Sequence, residues 1–270
     1  MSSNPARKYT LNDLLKIMEK LRHNEGCSWV KAQTLKTLNA HLLEEAYELV
    51  DVIENQCTQN DLLGELADLL NLIIFYSEIA KEQGLFNFET IIDHLAKKLI
   101  RRHPNVFDNG KLRDIDALEK QWQIIKQKER DQQAKQSGKH DTSVFDEIAT
   151  NLPALSMANK LQLRVSSIGF DWDNIADVMA HLVSEVNELQ EVLSDRTKAL
   201  EELGDLMFSC VNLSRHLKAD PEEVLRQANQ KFKQRFQGVE AALSQKNISP
   251  ESASLEELEQ LWQQQKIKEI

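Results

Sequence analysis

The sequence predicts an all-α chain: a tandem pair of helical, four-helix-bundle-like domains joined by a polar linker. Three observations carry that expectation. Glycine and proline are scarce, eight and five in 270 residues, while Gln, Glu, Leu, Lys and Ala abound. Apolar residues recur at helical rather than alternating spacing, as in Leu42, Leu43, Ala46, Tyr47, Leu49, Val50 and Ile53. A set of landmarks also occurs twice in the same order, which is the mark of an internal duplication.

The elements follow in order. Thr10 and Asp13 are spaced as a capping box opening a helix over Leu11–Leu21. Gly26-Cys27-Ser28-Trp29 supplies the first Gly-x-x-Trp, and a helix bearing Glu45 and Glu48 comes next. The most apolar stretch, Leu62–Ile79, carries Glu65, Asp68, Asn71 and Glu78 and so suits a core helix rather than a bilayer span. Lys98, Arg101 and Arg102 close this first domain, expected over residues 1–126. Residues 127–144 are almost wholly polar, with Ser137-Gly138 among them, and read as the linker.

The second domain, expected over 145–270, repeats the order: Gly169–Trp172, then Glu185 and Glu188, then Glu202 and Asp205, then Lys231 and Arg235. The intervals agree loosely, 16 and 13 residues from Trp to the first Glu of each pair, 17 and 14 from the second Glu to the next acid pair. Asp220-Pro221-Glu222 sets an N-cap, a first-turn proline and an acid in sequence, and Ser254 with Glu257 caps the last helix.

Bulk properties narrow the function. A net charge of −10 disfavours a nonspecific grip on nucleic-acid phosphates without a local basic patch. The three cysteines, Cys27, Cys57 and Cys210, are far apart and form no C-x-x-C pair, as in a reduced cytosolic protein. Met1–Lys8 is polar and holds no apolar signal region. The expectation is a cytoplasmic protein without nucleic-acid or membrane partners.

The acids carry the chemistry. Residues three apart on a helix share a face, so two packed helices can turn four carboxylates into one space. Carboxylates ~5 Å apart repel by roughly 3 kcal/mol per pair at an effective dielectric near 20. An isolated Glu-x-x-Glu is normally a solvated surface pair. Here, however, Asp68 runs into Leu69-Leu70-Asn71-Leu72-Ile73-Ile74-Phe75, and Asp205 into Leu206-Met207-Phe208. Acids within apolar segments need partners or metals.

None of the seven histidines lies three residues after a glutamate, which excludes the di-iron bundle pattern, and zinc's His and Cys ligands are missing. An all-oxygen set points to Mg²⁺, with Mn²⁺ as an alternative. Neither a G-x-x-x-x-G-K-[ST] loop nor G-x-G-x-x-G occurs, so phosphate handling falls to metal plus the trailing Lys and Arg side chains.

Longer motifs add a family. Lys160-Leu161-Gln162, Gly169-Phe170-Asp171-Trp172, Glu201-Glu202-Leu203-Gly204-Asp205-Leu206, Val211–His216 and Ala228-Asn229-x-Lys231-Phe232-x-x-Arg235-Phe236 resemble MazG. So do Leu43–Glu48, Gly64–Leu69 and Arg101–Phe107 in the first half. The resemblance implies an all-α, Mg²⁺-dependent nucleoside triphosphate pyrophosphohydrolase. Such enzymes cut between the α and β phosphates, act as homodimers, take ATP among a broad range of bases, and serve survival under nutritional stress. It further implies that the C-terminal half is the active one.

By position, the resemblance makes Glu185, Glu188, Glu202 and Asp205 metal ligands, with a catalytic role in activating water for Glu185 or Glu188. His181, Ser184, Lys198, Lys231, Arg235 and Trp262 become substrate-binding positions, Trp262 as a stacking partner of the base or as core packing. Glu45, Glu48, Glu65 and Asp68 form the second metal set, in the N-terminal half. Each half departs from the family pattern. Ser184 replaces a leading acid and His181 a lysine, while Ser28, Val30 and Ala67 break the motifs of the first half. Two rival readings are a helical dimerisation or regulatory scaffold, and a pyrophosphatase restricted to a deoxy or noncanonical nucleotide.

Overall fold

Helix α1, Leu11–Arg22, starts where local chemistry dictates: the Thr10 side chain accepts from the Asp13 N–H, and the Asp13 carboxylate accepts from the Thr10 N–H at 2.9 Å. The structure is a computed structural model, describing residues 8–55, 57–108, 114, 117–118, 121–122, 124–126, 128–129, 143–146 and 148–268. It divides into two compact units, Met1–Gln133 and Ala134–Ile270. All regular structure among the described residues is helical.

In the first unit, α1 is followed by α2 (Ser28–Ala32), α3 (Leu38–Glu54), α4 (Gln59–Glu82), α5 (Phe88–Arg102) and the short α6 (Pro104–Phe107). The main packing is α3 on α4, with α1 laid against α4. Met18, Leu38, Leu72, Ile74, Phe75 and Ile79 bury one shared core. Arg22 seals its edge. Its Nε and Nη2 donate to Glu82 at 2.6 and 2.7 Å, its Nη1 donates to the Val30 carbonyl at 2.7 Å, and its guanidinium lies 5.4 Å from the Phe75 ring centre. The apolar stretch expected over Leu62–Ile79 is the body of α4, which starts earlier because Thr58 and Asp61 form a second capping box. Gln56, and most of the expected linker over 127–144, lie outside the described residues. Of that stretch, Glu129 is held by Arg101 and Arg102 at 2.5 and 2.6 Å.

The second unit comprises α7 (Ala154–Ser166), α8 (Ile175–Val192), α9 (Arg196–His216), α10 (Pro221–Gln245), a 3₁₀ turn (Pro250–Ser252) and α11 (Leu255–Lys268). Only residues 193–195 separate α8 from α9, so α9 folds back along α8, and this is the unit's main helix pair. Helix α7 packs on α9 and α10. Val239, Leu243 and Leu261 make a separate small core between α10 and α11, with Trp262 against it. Asp195, Asp220 and Ser254 cap α9, α10 and α11.

The repeated Gly-x-x-Trp has a different cause in each half. A Cβ on Gly26 would stand 2.1 Å from the Leu21 carbonyl oxygen, whereas Gly169 needs a backbone φ of +92° with open space around it.

Candidate active site

The α8–α9 pair brings the acids of the second unit together. Glu185, 7% exposed, points from α8, and Glu202 and Asp205 point from α9. One carboxylate oxygen from each lies within 4.8 Å of the others. Burial comes first in raising the Glu202 pKa above the ordinary carboxylate value, followed by the charges of Glu188, Asp205, Glu185 and Glu201. Glu188 is exposed and accepts a hydrogen bond from Ser184 Oγ at 2.8 Å. The serine that replaces the family's leading acid thus orients the second glutamate.

The first unit builds the same trio from Glu45, Glu65 and Asp68, again with oxygens within 4.8 Å. Burial and then the Asp68 and Glu48 charges raise the Glu45 pKa; burial and then the Glu48 and Asp68 charges raise that of Glu65. Glu65 Oε2 is buried without a hydrogen-bond partner. Three carboxylate oxygens within 4.8 Å of one another fit a hard divalent cation in both units, and in the first the orphaned Glu65 Oε2 adds to that fit.

The other expected positions spread over neighbouring helices. His181 Nε2 is 3.2 Å from Glu185 Oε1, and its ring centre is 5.4 Å from that of Trp172. The first unit repeats this pair as His41 and Trp29, 5.9 Å apart. Lys198 stands one turn before Glu202 on α9, and Lys231 and Arg235 lie one turn apart on α10. Trp262 packs at 5.0 Å from the Phe232 ring, with the Arg235 guanidinium 5.8 Å above it, so its surroundings are those of the α10–α11 core.

Sequence reasoning assigned no role to a second group. Asp171 accepts from Arg215 through both carboxylate oxygens, from Ser166 Oγ at 2.6 Å, and from the Trp172 N–H at 2.9 Å. These bonds, those from Arg215 foremost, hold its carboxyl well below the usual carboxylate range. The group forms part of the wall of a cavity of about 640 Å³ that also takes in Gln162, Trp172, His181 and Asn212. Its signal was present in the motifs around Gln162, Gly169–Trp172 and Val211–His216, but nothing local ties those three segments together.

The model of the MazG nucleotide pyrophosphohydrolase domain matches residues 33–107 and again 174–239, each stretch spanning one acid set. The chain belongs to the MazG family. It is 39% identical over 265 residues to the nucleoside triphosphate pyrophosphohydrolase of Escherichia coli (strain K12), covering 96% of this chain and 98% of that one. It is 40% identical over 255 residues to the nucleoside triphosphate pyrophosphohydrolase/pyrophosphatase MazG of Thermotoga maritima, covering 94% of each. A crystal structure of a MazG-related protein from Thermotoga maritima aligns at 24% identity and a TM-score of 0.38, over 43% of this chain and 99% of that one. At that score the alignment adds nothing to the assignment, which the sequence matches carry. The tandem MazG domains account for the duplicated landmarks. Among the described residues no helix is long and apolar enough to cross a membrane.

Proposed function

We propose that this chain is a nucleoside triphosphate pyrophosphohydrolase whose second MazG domain cleaves the α–β phosphoanhydride bond, releasing nucleoside monophosphate and pyrophosphate. The convergence of Glu185, Glu202 and Asp205 carries this reading, beside near-full-length similarity to pyrophosphohydrolases. Glu185, Glu202 and Asp205 would hold Mg²⁺, or Mn²⁺ in its place, and the bound ion would neutralise charge on the phosphate oxygens. Glu188 stands outside the trio and is fixed by Ser184, which suits it to take the proton of the attacking water. Lys198, Lys231 and Arg235 would hold the triphosphate tail, Arg235 with a fork that can grip two oxygens.

Homodimer formation belongs to the same proposal. Leu43, Tyr47, Leu63, Leu66 and Leu70 expose broad apolar area on α3 and α4, with Leu63 65% exposed. A scaffold with vestigial motifs would have no use for carboxylates gathered within 4.8 Å of one another in both units. Incubation with ATP and Mg²⁺ tests the activity: AMP with pyrophosphate is expected, and ADP with phosphate would refute it.

A further inference from the structure

Two arginines at the end of α5 converge on one carboxylate in the first MazG domain. Arg101 Nε donates to Glu129 Oε1 at 2.7 Å, and Arg102 Nε and Nη2 donate to Glu129 Oε2 at 3.1 and 2.6 Å. The Arg102 and Glu129 side chains are 19% and 14% exposed, which holds the fork in place, whereas Arg101 is 53% exposed and opens it to solvent. These bonds, those from Arg102 foremost, hold the Glu129 carboxyl below the ordinary carboxylate value, so it is ionised at neutral pH. Two guanidiniums against one carboxylate leave one positive charge in excess (2 − 1 = 1). A phosphate group, with about two negative charges and three acceptor oxygens, would balance the pair where a carboxylate does not.

The place of the pair in the repeat indicates what such a phosphate would belong to. Counted from Lys98 and Lys231, Arg102 corresponds to Arg235, proposed above to hold the triphosphate tail, and Arg101 corresponds to Gln234. Trp122 stands beside the pair, its ring centre 6.0 Å from the Arg102 guanidinium and 3.8 Å from Lys126 Nζ. In the second domain Arg235 approaches Trp262 in the same way, at 5.8 Å. Trp122 opens the run Trp122-Gln123-x-x-Lys126-x-Lys128-Glu129, which recurs as Trp262-Gln263-x-x-Lys266-x-Lys268-Glu269. Glu269 lies outside the described residues. An ion pair that only ties helix ends together needs one cation. The second arginine, replaced by Gln234 in the other copy, adds charge that only a more highly charged anion would use.

We propose that Arg101 and Arg102 form a phosphate site of the first MazG domain, for the tail of a nucleoside triphosphate or for a free polyphosphate, and that Glu129 fills this site until such an anion displaces it. The choice of ligand rests on the triphosphate reading of Arg235 and deepens it by giving the first half a ligand of its own. An entering polyphosphate exchanges with an internal carboxylate instead of meeting bare guanidiniums. The forked donors that now grip the carboxylate suit phosphate oxygens equally well.

Calorimetric titration of the full chain tests this, with inorganic tripolyphosphate and with ATP, both without metal so that nothing is turned over. Glu129→Gln keeps the shape of the side chain and removes its charge. Tripolyphosphate should then bind the first domain about tenfold or more tighter than in the wild type, the scale of one charged hydrogen bond. The gain should vanish when Arg102→Gln is added and persist when Arg235→Gln is added. ATP binding tighter than tripolyphosphate assigns the site to nucleotides, and equal binding assigns it to the phosphate chain alone; both uphold it. A folded Glu129→Gln chain that binds tripolyphosphate no better than the wild type would overturn the proposal and leave Glu129 a structural clasp. Should that variant fail to fold, Glu129→Asp decides, since it keeps the charge but draws it back from the fork. A smaller gain is expected there, and no gain refutes the site. A wild type that makes no AMP from ATP and Mg²⁺ refutes the pyrophosphohydrolase reading, while a gain in tripolyphosphate binding would still uphold the site.

Discussion

Asp171 carries the most perturbed single charge of the second unit, with two bonds from Arg215 and further ones from Ser166 and the Trp172 N–H. A carboxylate whose folded pKa is depressed stabilises the fold at pH values above its unfolded pKa. That contribution is lost as pH falls through the acid range toward the folded value. Asp171→Asn should therefore cost about 1–3 kcal/mol near neutrality, the range for a hydrogen bond to a charged group. The difference from wild type should shrink below about pH 4, the unfolded carboxylate range. Urea unfolding at neutral and acid pH measures both. Among the clustered acids, Glu202→Gln should lower kcat about 100-fold or more, and Glu65→Gln far less; equal losses in the product assay would refute the proposal that the second half is the active one. The acids were legible in the sequence because spacing by three and repetition are properties of the chain itself. The Asp171–Arg215 pair was not, because its two members lie 44 residues apart in the chain and only the folded helices bring them together.

Helix starts were readable where the signal is local. Thr10 and Ser254 cap the helices that follow, as Asp13 and Glu257 three residues on predict, and Asp220 caps the next, as the Pro221-Glu222 that follows it predicts. The apolar run alone places the start of α4 at Leu62, whereas the polar Thr58–Asp61 box ahead of it starts the helix at Gln59. Thr58→Ala should cost about 1 kcal/mol through the loss of that cap, seen as a lower Tm of the first unit. The two Gly-x-x-Trp segments were equally visible, but their causes were not. Crowding by a carbonyl at Gly26 and left-handed backbone at Gly169 leave the same letter in the sequence.

At the scale of the whole molecule, duplication was the strongest sequence signal, and the two matched MazG domains account for it. The apolar faces left on α3 and α4 lead to a prediction about assembly. Leu63→Glu places a charge where the partner surface is expected and should shift the chain from dimer toward monomer in sedimentation, with each unit's helical content retained. What the sequence could not disclose is which acids of each copy meet, namely Glu45, Glu65 and Asp68 in one and Glu185, Glu202 and Asp205 in the other. Two such trios in one chain bear on its stoichiometry. Divalent ions should load both halves, so a calorimetric titration with Mg²⁺ should count a binding event for each half, and Glu65→Gln should erase the first while leaving the second.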